Sequence, residues 1–172
     1  MEKQTENTKF IIQRFDNFIS GVNVKGTFLL AFSTFLTGGI IANYTKIKEL
    51  VECDTGLLLL NIAICTLLIS SVIASVLIIK AVYPFLASGN SSLDKYHSHI
   101  FFNSVSEFEN GKTYFETLTK LSDDDLNQDL ANQAFQLAKG LKKKYLYIEW
   151  AMRLVYFELF LIIAILTLII IF

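Results

Sequence analysis

Long apolar runs without charge dominate the pattern of this chain, and three of them are long enough to cross a bilayer. They are residues 26–43, residues 56–79 and residues 154–172, the last interrupted only by Glu158. About twenty helical residues are needed to cross roughly 30 Å of hydrocarbon. The pattern therefore predicts three transmembrane helices, with a short loop at 44–55 between the first and the second.

An amphipathic segment precedes the first run. Its apolar residues recur at helical spacing within residues 1–25, and they are Phe10, Ile11, Phe15, Phe18, Ile19 and Val22. A helix of this kind lies on the inner leaflet of the membrane or packs against a soluble part of the protein. Because its polar face is poor in lysine and arginine, the second arrangement is favoured.

A polar region separates the second run from the third. Turn-forming residues cluster at 88–92 and 109–111, which predicts a loop region with a short extended segment around 99–103 and a helix over 112–120. Ser122 is a good N-cap, and the apolar positions after it continue at helical spacing into the third run without a proline. The pattern predicts one long helix from this region into the membrane.

Lysine and arginine placement predicts the orientation. Basic residues concentrate in the tail before residue 26 and in residues 80–153, whereas acidic residues outnumber the two lysines of the loop 44–55. Cytoplasmic segments carry the excess of basic residues. The N-terminus and the module that follows the second helix are therefore predicted to be cytoplasmic, and the C-terminus extracytoplasmic, in a multi-pass protein of the cell inner membrane.

The predicted fold is a mainly α integral membrane protein with a small, mostly helical cytoplasmic module between its second and third transmembrane helices. The predicted parts are a cytoplasmic amphipathic helix at 1–25, the first two transmembrane helices within 26–83, the module at 84–150 and the third transmembrane helix at 151–172. A hydrophobic content of 53% and a mean hydropathy of +0.48 exclude an ordinary small soluble domain. The net charge of −1 gives no reason to expect nucleic acid as a partner.

Motifs for catalysis, metal binding or a cofactor are not found in the sequence. It has no phosphate-binding loop, no nucleophile elbow and no HExxH pair, so no enzyme activity is predicted. His97 and His99 are the only histidines, and with Asp94 as a weak third ligand they fit a polar loop or a pocket wall better than a metal site. Cys53 and Cys65 are expected to be unpaired.

Three polar features each allow two interpretations. Lys142, Lys143 and Lys144 are a positively charged anchor at the membrane surface, or Lys144 faces the interior and meets an anion. Glu158 lies at the membrane interface or belongs to an ion path. The small residues at 70–75 pack within the chain or form a subunit contact.

Three segments, taken in order, resemble one known family. They are FISGVNVKGTFLL at 18–30, HIFFNSV at 99–105 and DLANQAFQLAKGLKKKYLYI at 129–148. Each resembles a motif of the transmembrane effectors of the bacterial Pycsar antiphage systems. The sequence departs from the family pattern at Val22 and Gly26, where alanine is usual, and at Asn103, where glycine is common.

The resemblance implies a function that composition does not indicate. Such effectors bind cyclic CMP or cyclic UMP made by a partner nucleotide cyclase and then impair the host membrane, which gives abortive infection. The polar module would then be the sensor, and the chain is expected to act in the bilayer as a homo-oligomer. A nucleobase stacks on aromatic rings, lysines pair with phosphate, and amides or hydroxyls read the base edge. The expected ligand-binding residues are Asn23, Lys25, Phe101, Phe102, Asn103, Ser104, Gln133 and Lys144, with Arg14 as a further phosphate partner.

Other functions compete with this interpretation. A holin-like or toxin-like membrane protein would need no ligand, and a related effector would respond to a cyclic oligonucleotide instead. A partner subunit of a transporter would need a neighbouring transport protein. A membrane enzyme is the least favoured, because the sequence offers no catalytic set.

Overall fold

The computed structural model describes residues 2–84 and 98–172, apart from the side chain of Glu2. All regular secondary structure in these ranges is helical, in agreement with the predicted mainly α fold. The helices are α1 (Glu2–Ala42), α2 (Tyr44–Glu49), α3 (Asp54–Val82), α4 (Phe102–Val105), α5 (Gly111–Lys120) and α6 (Asp123–Ile171).

Three of these helices are long and apolar enough to cross a membrane: α1, α3 and α6. Their apolar windows confirm the prediction of three transmembrane helices. The amphipathic segment and the first apolar run form one uninterrupted helix, α1, and the polar region and third run likewise share α6. The predicted orientation across the membrane and the predicted limits of the parts stay predictions.

The chain divides into two compact units. The polar unit contains residues up to Gly21 and the described part of Pro84–Lys143, and the membrane unit contains Val22–Tyr83 and Lys144–Phe172. Helices α1 and α6 contribute residues to both units, so each unit is built from separate stretches of sequence.

The membrane unit has a small dry core, here called the apolar core cluster. Its buried residues are Val51, Leu60, Ile64, Leu67, Leu161 and Ile165. Many large apolar side chains on the same helices are exposed instead, such as Phe28, Phe35 and Ile163. A bilayer surrounds such side chains with hydrocarbon, so their exposure fits helices that cross a membrane.

Local capping explains where α5 and α6 begin in the polar unit. The Asn110 side chain accepts a hydrogen bond from Thr113 N at 2.9 Å. Ser122 Oγ accepts from Asp125 N, and the Asp125 carboxylate accepts from Ser122 N and from its hydroxyl. These hydrogen bonds lower the pKa of the Asp125 carboxyl. The prediction of Ser122 as an N-cap is confirmed.

The prediction of an extended segment around 99–103 is wrong. Phe102 begins the short helix α4, in which Val105 N donates to Phe101 O and Ser106 N donates to Phe102 O, both at 2.9 Å. The chain bends earlier because Ser98 Oγ accepts from two backbone N–H groups that follow it. The turn predicted at 88–92 lies outside the described residues.

Candidate functional site

Two residues of α6 hold the segment that precedes α4. Asp129 is fully buried, and its Oδ2 accepts from Ser98 Oγ at 3.2 Å and from His99 N at 2.7 Å. Gln133, one turn further along α6, donates from Nε2 to Ser98 Oγ at 2.9 Å. Two side chains one turn apart on α6 therefore fix the position of the start of this segment.

The same segment is held from two further directions. Ser98 Oγ accepts from Ile100 N at 3.3 Å and from Phe101 N at 3.0 Å, which closes a tight turn. The Tyr114 hydroxyl of α5 donates to His99 O at 2.8 Å. The position of Phe101 thus depends on hydrogen bonds from both α5 and α6.

The N-terminal part of α1 completes the polar unit beside α6. The Thr5 hydroxyl of α1 donates to Asn127 Oδ1 of α6 at 2.5 Å. Between these helices and the 98–102 segment lies a cavity of about 480 Å³, here called the polar-unit cavity. Small-molecule sites typically occupy about 300–1,000 Å³. The lining residues are Lys9, Ile12, Gln13, Asp16, Ile100, Phe101, Phe102, Leu130, Gln133 and Leu137.

The cavity walls combine aromatic, cationic and amide groups. The rings of Phe101 and Phe102 have their centroids 4.8 Å apart at an angle of 45°. Phe102 is 63% exposed and Phe101 is half-buried, so a ring face is accessible to a planar ligand. Lys9 brings a positive charge and Asp16 a hydrogen-bond acceptor from the same face of α1.

The hydrogen-bond network fixes which end of the Gln133 amide is free. The Ser98 hydroxyl donates its one hydrogen to Asp129 Oδ2. Because the Ser98 hydroxyl has no second hydrogen, Ser98 Oγ can only accept from Gln133. The Gln133 amide must therefore direct its donor, Nε2, towards Ser98. Gln133 Oε1 is left without a partner among the described residues, on a side chain that lines the cavity.

The structure brings some of the predicted site residues together. Phe101, Phe102 and Gln133 line the polar-unit cavity. Asn103 is exposed on α4, and Ser104 beside it is buried, with no hydrogen-bond partner for its Oγ among the described residues. Arg14 lies in the polar unit with its guanidinium 5.6 Å from the centre of the Phe18 ring.

The remaining predicted site residues belong to the membrane unit. Lys144, which precedes the third apolar run, donates from Nζ to Asn23 Oδ1 at 3.2 Å, to Ala81 O at 2.5 Å and to Tyr83 O at 3.0 Å. An ammonium has three N–H groups, so all of them have partners here. Burial lowers the pKa of the Lys144 ammonium. Lys25 is exposed.

The histidine pair has no metal-site geometry in the described part of the chain. His97 lies outside the described residues. His99 is half-buried, with its backbone N bonded to Asp129 and its backbone O bonded to Tyr114. No group of three or more metal-binding side chains occurs among residues 2–84 and 98–172.

Comparison with known proteins decides the family. A family model described as the Pycsar effector protein domain matches residues 7–171. The chain belongs to the Pycsar effector family. Over 156 residues, this Pycsar effector is 29% identical to the Pycsar effector protein EcPycTM of Escherichia coli, covering 88% of this chain and 84% of the relative. No solved structure matches it.

The family match confirms the resemblance carried by the three motifs and, with the three apolar helices, supports a membrane location for this Pycsar effector.

Sequence reasoning missed several residues that line the cavity or hold its wall in place. Asp129 interrupts an apolar stripe between Leu126 and Leu130, and an acidic residue in that position is a sign of a buried partner. Lys9, Gln13 and Asp16 follow the i, i+4, i+7 spacing of one helix face, which is a second usable signal.

Proposed function

We propose that this protein is an antiphage membrane effector that binds a pyrimidine cyclic nucleotide in the polar-unit cavity and then disrupts the membrane in which it sits, giving abortive infection. The observation that supports it most directly is the cavity, because it joins two accessible aromatic rings, one lysine and a free amide oxygen. Membership of the Pycsar effector family supports the same function.

The cavity chemistry matches each part of such a ligand. Stacking of a base on an aromatic side chain contributes about 1–3 kcal/mol, and Phe102 offers the more exposed ring. The single negative charge of a cyclic monophosphate pairs with the Lys9 ammonium. Asp16 can accept a hydrogen bond from the ribose hydroxyl. Asn23, Lys25, Asn103, Ser104 and Lys144 stay predictions as ligand contacts.

Gln133 favours cytosine over uracil. Its Nε2 is held by Ser98, so Oε1 is the end that is free for a ligand. Cytosine presents an exocyclic amine donor where uracil presents a carbonyl acceptor. With the 4-position of the base at Gln133, the free acceptor pairs with the amine of cytosine and not with the carbonyl of uracil, which could pair only through its N3–H in a shifted position, so cyclic CMP is the preferred messenger.

Binding would act on the membrane through a change in equilibrium between two states. A ligand shifts such an equilibrium only as far as it prefers one state. We infer that the bound form favours an arrangement of the membrane helices that breaches the bilayer, in an assembly of several copies. The polar unit would lie in the cytoplasm, where the partner cyclase releases its product.

Titration of the purified protein in detergent with labelled cyclic CMP, cyclic UMP and a cyclic dinucleotide tests the proposal. We expect binding of cyclic CMP, weaker binding of cyclic UMP and at least a tenfold loss of affinity in Phe102→Ala, since 1.4 kcal/mol corresponds to a factor of ten. Phe115→Ala is the matched control, because Phe115 is 64% exposed in the same unit and does not line the cavity.

Three results would contradict the proposal. Absence of binding by all three nucleotides would exclude a sensor of this kind. Toxicity on expression without any cyclase, unchanged in Phe102→Ala, would favour a ligand-independent toxin. Binding of the cyclic dinucleotide alone would assign the protein to the effectors of cyclic oligonucleotides.

A further inference from the structure

A carboxyl group lies buried among the apolar helices of the membrane unit. Glu158 of α6 is only 1% exposed. Its Oε2 accepts from Ser33 Oγ of α1 at 2.7 Å, and its Oε1 has no hydrogen-bond partner among the described residues. At 1.5 Å per residue, Glu158 lies about 6 Å along α6 beyond the start of the third apolar run at Leu154. A charged carboxylate that is buried among apolar helices is costly, and ionisable groups inside membrane segments commonly have a function.

Three hydroxyl groups connect to this carboxyl in a fixed order. Ser33 uses its one hydrogen on Glu158, so Ser71 of α3 must be the donor in the Ser33–Ser71 hydrogen bond of 3.2 Å. The Thr37 hydroxyl of α1 in turn donates to Ser71 Oγ at 3.0 Å. Each hydrogen therefore points one step closer to Glu158. This set of Thr37, Ser71, Ser33 and Glu158 is here called the hydroxyl chain, and it involves all three long helices.

One end of the hydroxyl chain opens to a cleft and the other end faces apolar residues. Thr37 and Ser71 line a cleft of about 300 Å³, together with Thr34, Ser75 and the apolar side chains of Ile41, Val72 and Val76. Along α6 after Glu158, the next buried residues are Leu161 and Ile165 of the apolar core cluster. A cleft with hydroxyl and apolar walls thus adjoins Thr37, and apolar residues follow Glu158.

We propose that the hydroxyl chain is a proton relay, with Glu158 as its proton-binding site, and that protons are what the activated effector lets through the membrane unit. The inference specifies the membrane step of the proposed function and rests on it. A proton arriving at Thr37 displaces the Thr37 proton to Ser71, the Ser71 proton to Ser33 and the Ser33 proton to Glu158 Oε2. Glu158 begins this cycle neutral, with its own proton on Oε1, and that proton then leaves, so one proton enters for each that exits.

The direction of the hydrogens favours a proton over a metal cation. A metal ion needs oxygen lone pairs turned towards it, whereas the hydroxyls here turn their hydrogens towards Glu158. In the resting arrangement the apolar core cluster blocks exit, as hydrophobic constrictions do in channels when they exclude water. Activation must therefore admit water both to the cleft at Thr37 and to that cluster.

The test is proton flux into liposomes that contain the full-length protein in their membrane and a pH-sensitive dye in their interior. A potassium gradient with valinomycin supplies the driving force. On addition of cyclic CMP we expect acidification in the wild type and at least a tenfold lower rate in Glu158→Gln, which keeps the size of the side chain. Ser33→Ala should also lower the rate at least tenfold. Glu149→Gln is the matched control, since Glu149 is exposed on the same helix and pairs with Arg153.

A second arm needs no messenger. Leu67→Ser places a hydroxyl in the apolar core cluster, so it should raise proton flux at least tenfold without cyclic CMP, and adding Glu158→Gln should remove that flux. Nucleotide binding is measured on every sample. If the wild type neither binds cyclic CMP nor responds to it, the proposed function is contradicted. If Leu67→Ser still passes protons in that case and Glu158→Gln removes this flux, the relay is retained.

Three results would overturn the relay itself. The first is a Glu158→Gln protein that binds cyclic CMP and passes protons at the wild-type rate. The second is a Leu67→Ser protein that leaks no more than the wild type, or leaks equally with Glu158→Gln. The third is release of a trapped fluorescent dye by the wild type and Glu158→Gln alike, because an opening of that width needs no relay.

Discussion

At the residue scale, Ser98 organises the aromatic wall of the cavity because its one hydroxyl takes part in four hydrogen bonds. It donates to Asp129 and accepts from Gln133, Ile100 N and Phe101 N. Phe101 and Phe102 could be chosen from the sequence as site residues because they are accessible aromatic groups within a motif. Asp129 could not, because its partners lie about 30 residues earlier in the chain and helical spacing says nothing about what packs on a helix.

Replacing Asp129 should therefore affect both stability and binding. Asp129→Ala leaves Ser98 Oγ and His99 N without their buried acceptor, and each hydrogen bond to a charged group contributes about 1.5–3 kcal/mol. We expect the free energy of unfolding in detergent to fall by about 2 kcal/mol or more, and the affinity for cyclic CMP to fall at least tenfold. Asp124→Ala, on an exposed position of the same helix, should change neither. Equal affinity in the two variants would show that the segment does not need Asp129.

At the element scale, the long helices and α5 were predictable, whereas α4 was not. Charge-free runs and unbroken helical spacing depend on local sequence, so α3, α5 and α6 could be predicted within a few residues, and α1 as two parts that the structure joins into one helix. Helix α4 depends instead on the turn that Ser98 forms, and such a turn competes with the extended form that Ile100, Phe101 and Phe102 favour by composition. The prediction for 99–103 is therefore wrong because tertiary hydrogen bonds override the local preference of these residues for an extended conformation.

Gly26 shows what packing demands of α1 in the membrane unit. A Cβ atom at Gly26 would lie 2.7 Å from Val82 Cγ2 and 3.3 Å from Ile148 Cδ1, whereas at Gly39 nothing lies within 4 Å. Overpacking costs about 1–3 kcal/mol, and alanine gains about 1 kcal/mol over glycine within a helix. Gly26→Ala should lower the free energy of unfolding by up to about 2 kcal/mol in denaturant titrations in micelles. Gly39→Ala, the control, should be slightly stabilising, and a Gly26→Ala protein stabilised as much as Gly39→Ala would contradict the close approach.

At the scale of the whole molecule, Lys144 contacts the chain near each place where it enters or leaves the membrane unit. The chain enters at Val22, leaves after Tyr83 and returns at Lys144 itself. The ammonium donates to Asn23, just after the first of these places, and to the carbonyls of Ala81 and Tyr83, just before the second. Sequence reasoning expected an interior Lys144 to meet an anion, and its partners are neutral oxygen atoms.

Removing the Lys144 charge should separate messenger binding from the membrane response. Lys144→Met loses three hydrogen bonds in the membrane unit, while the residues of the polar-unit cavity are unchanged. We expect cyclic CMP affinity within twofold of wild type and at least a tenfold smaller membrane response in liposomes. Lys143→Met is the control, since the neighbouring Lys143 is exposed. Loss of binding in Lys144→Met alone would make Lys144 a ligand contact, as predicted from its charge.

The division of the chain into two interleaved units has a consequence for how the protein is made. The polar unit needs residues near both Lys9 and Gln133, so it cannot form until the ribosome has passed Lys143. By then α3 has been synthesised and α1 has been complete for about one hundred residues. Insertion of two membrane helices therefore precedes assembly of the cavity during translation. Nor can a single contiguous segment carry the cavity to another protein without also carrying α3.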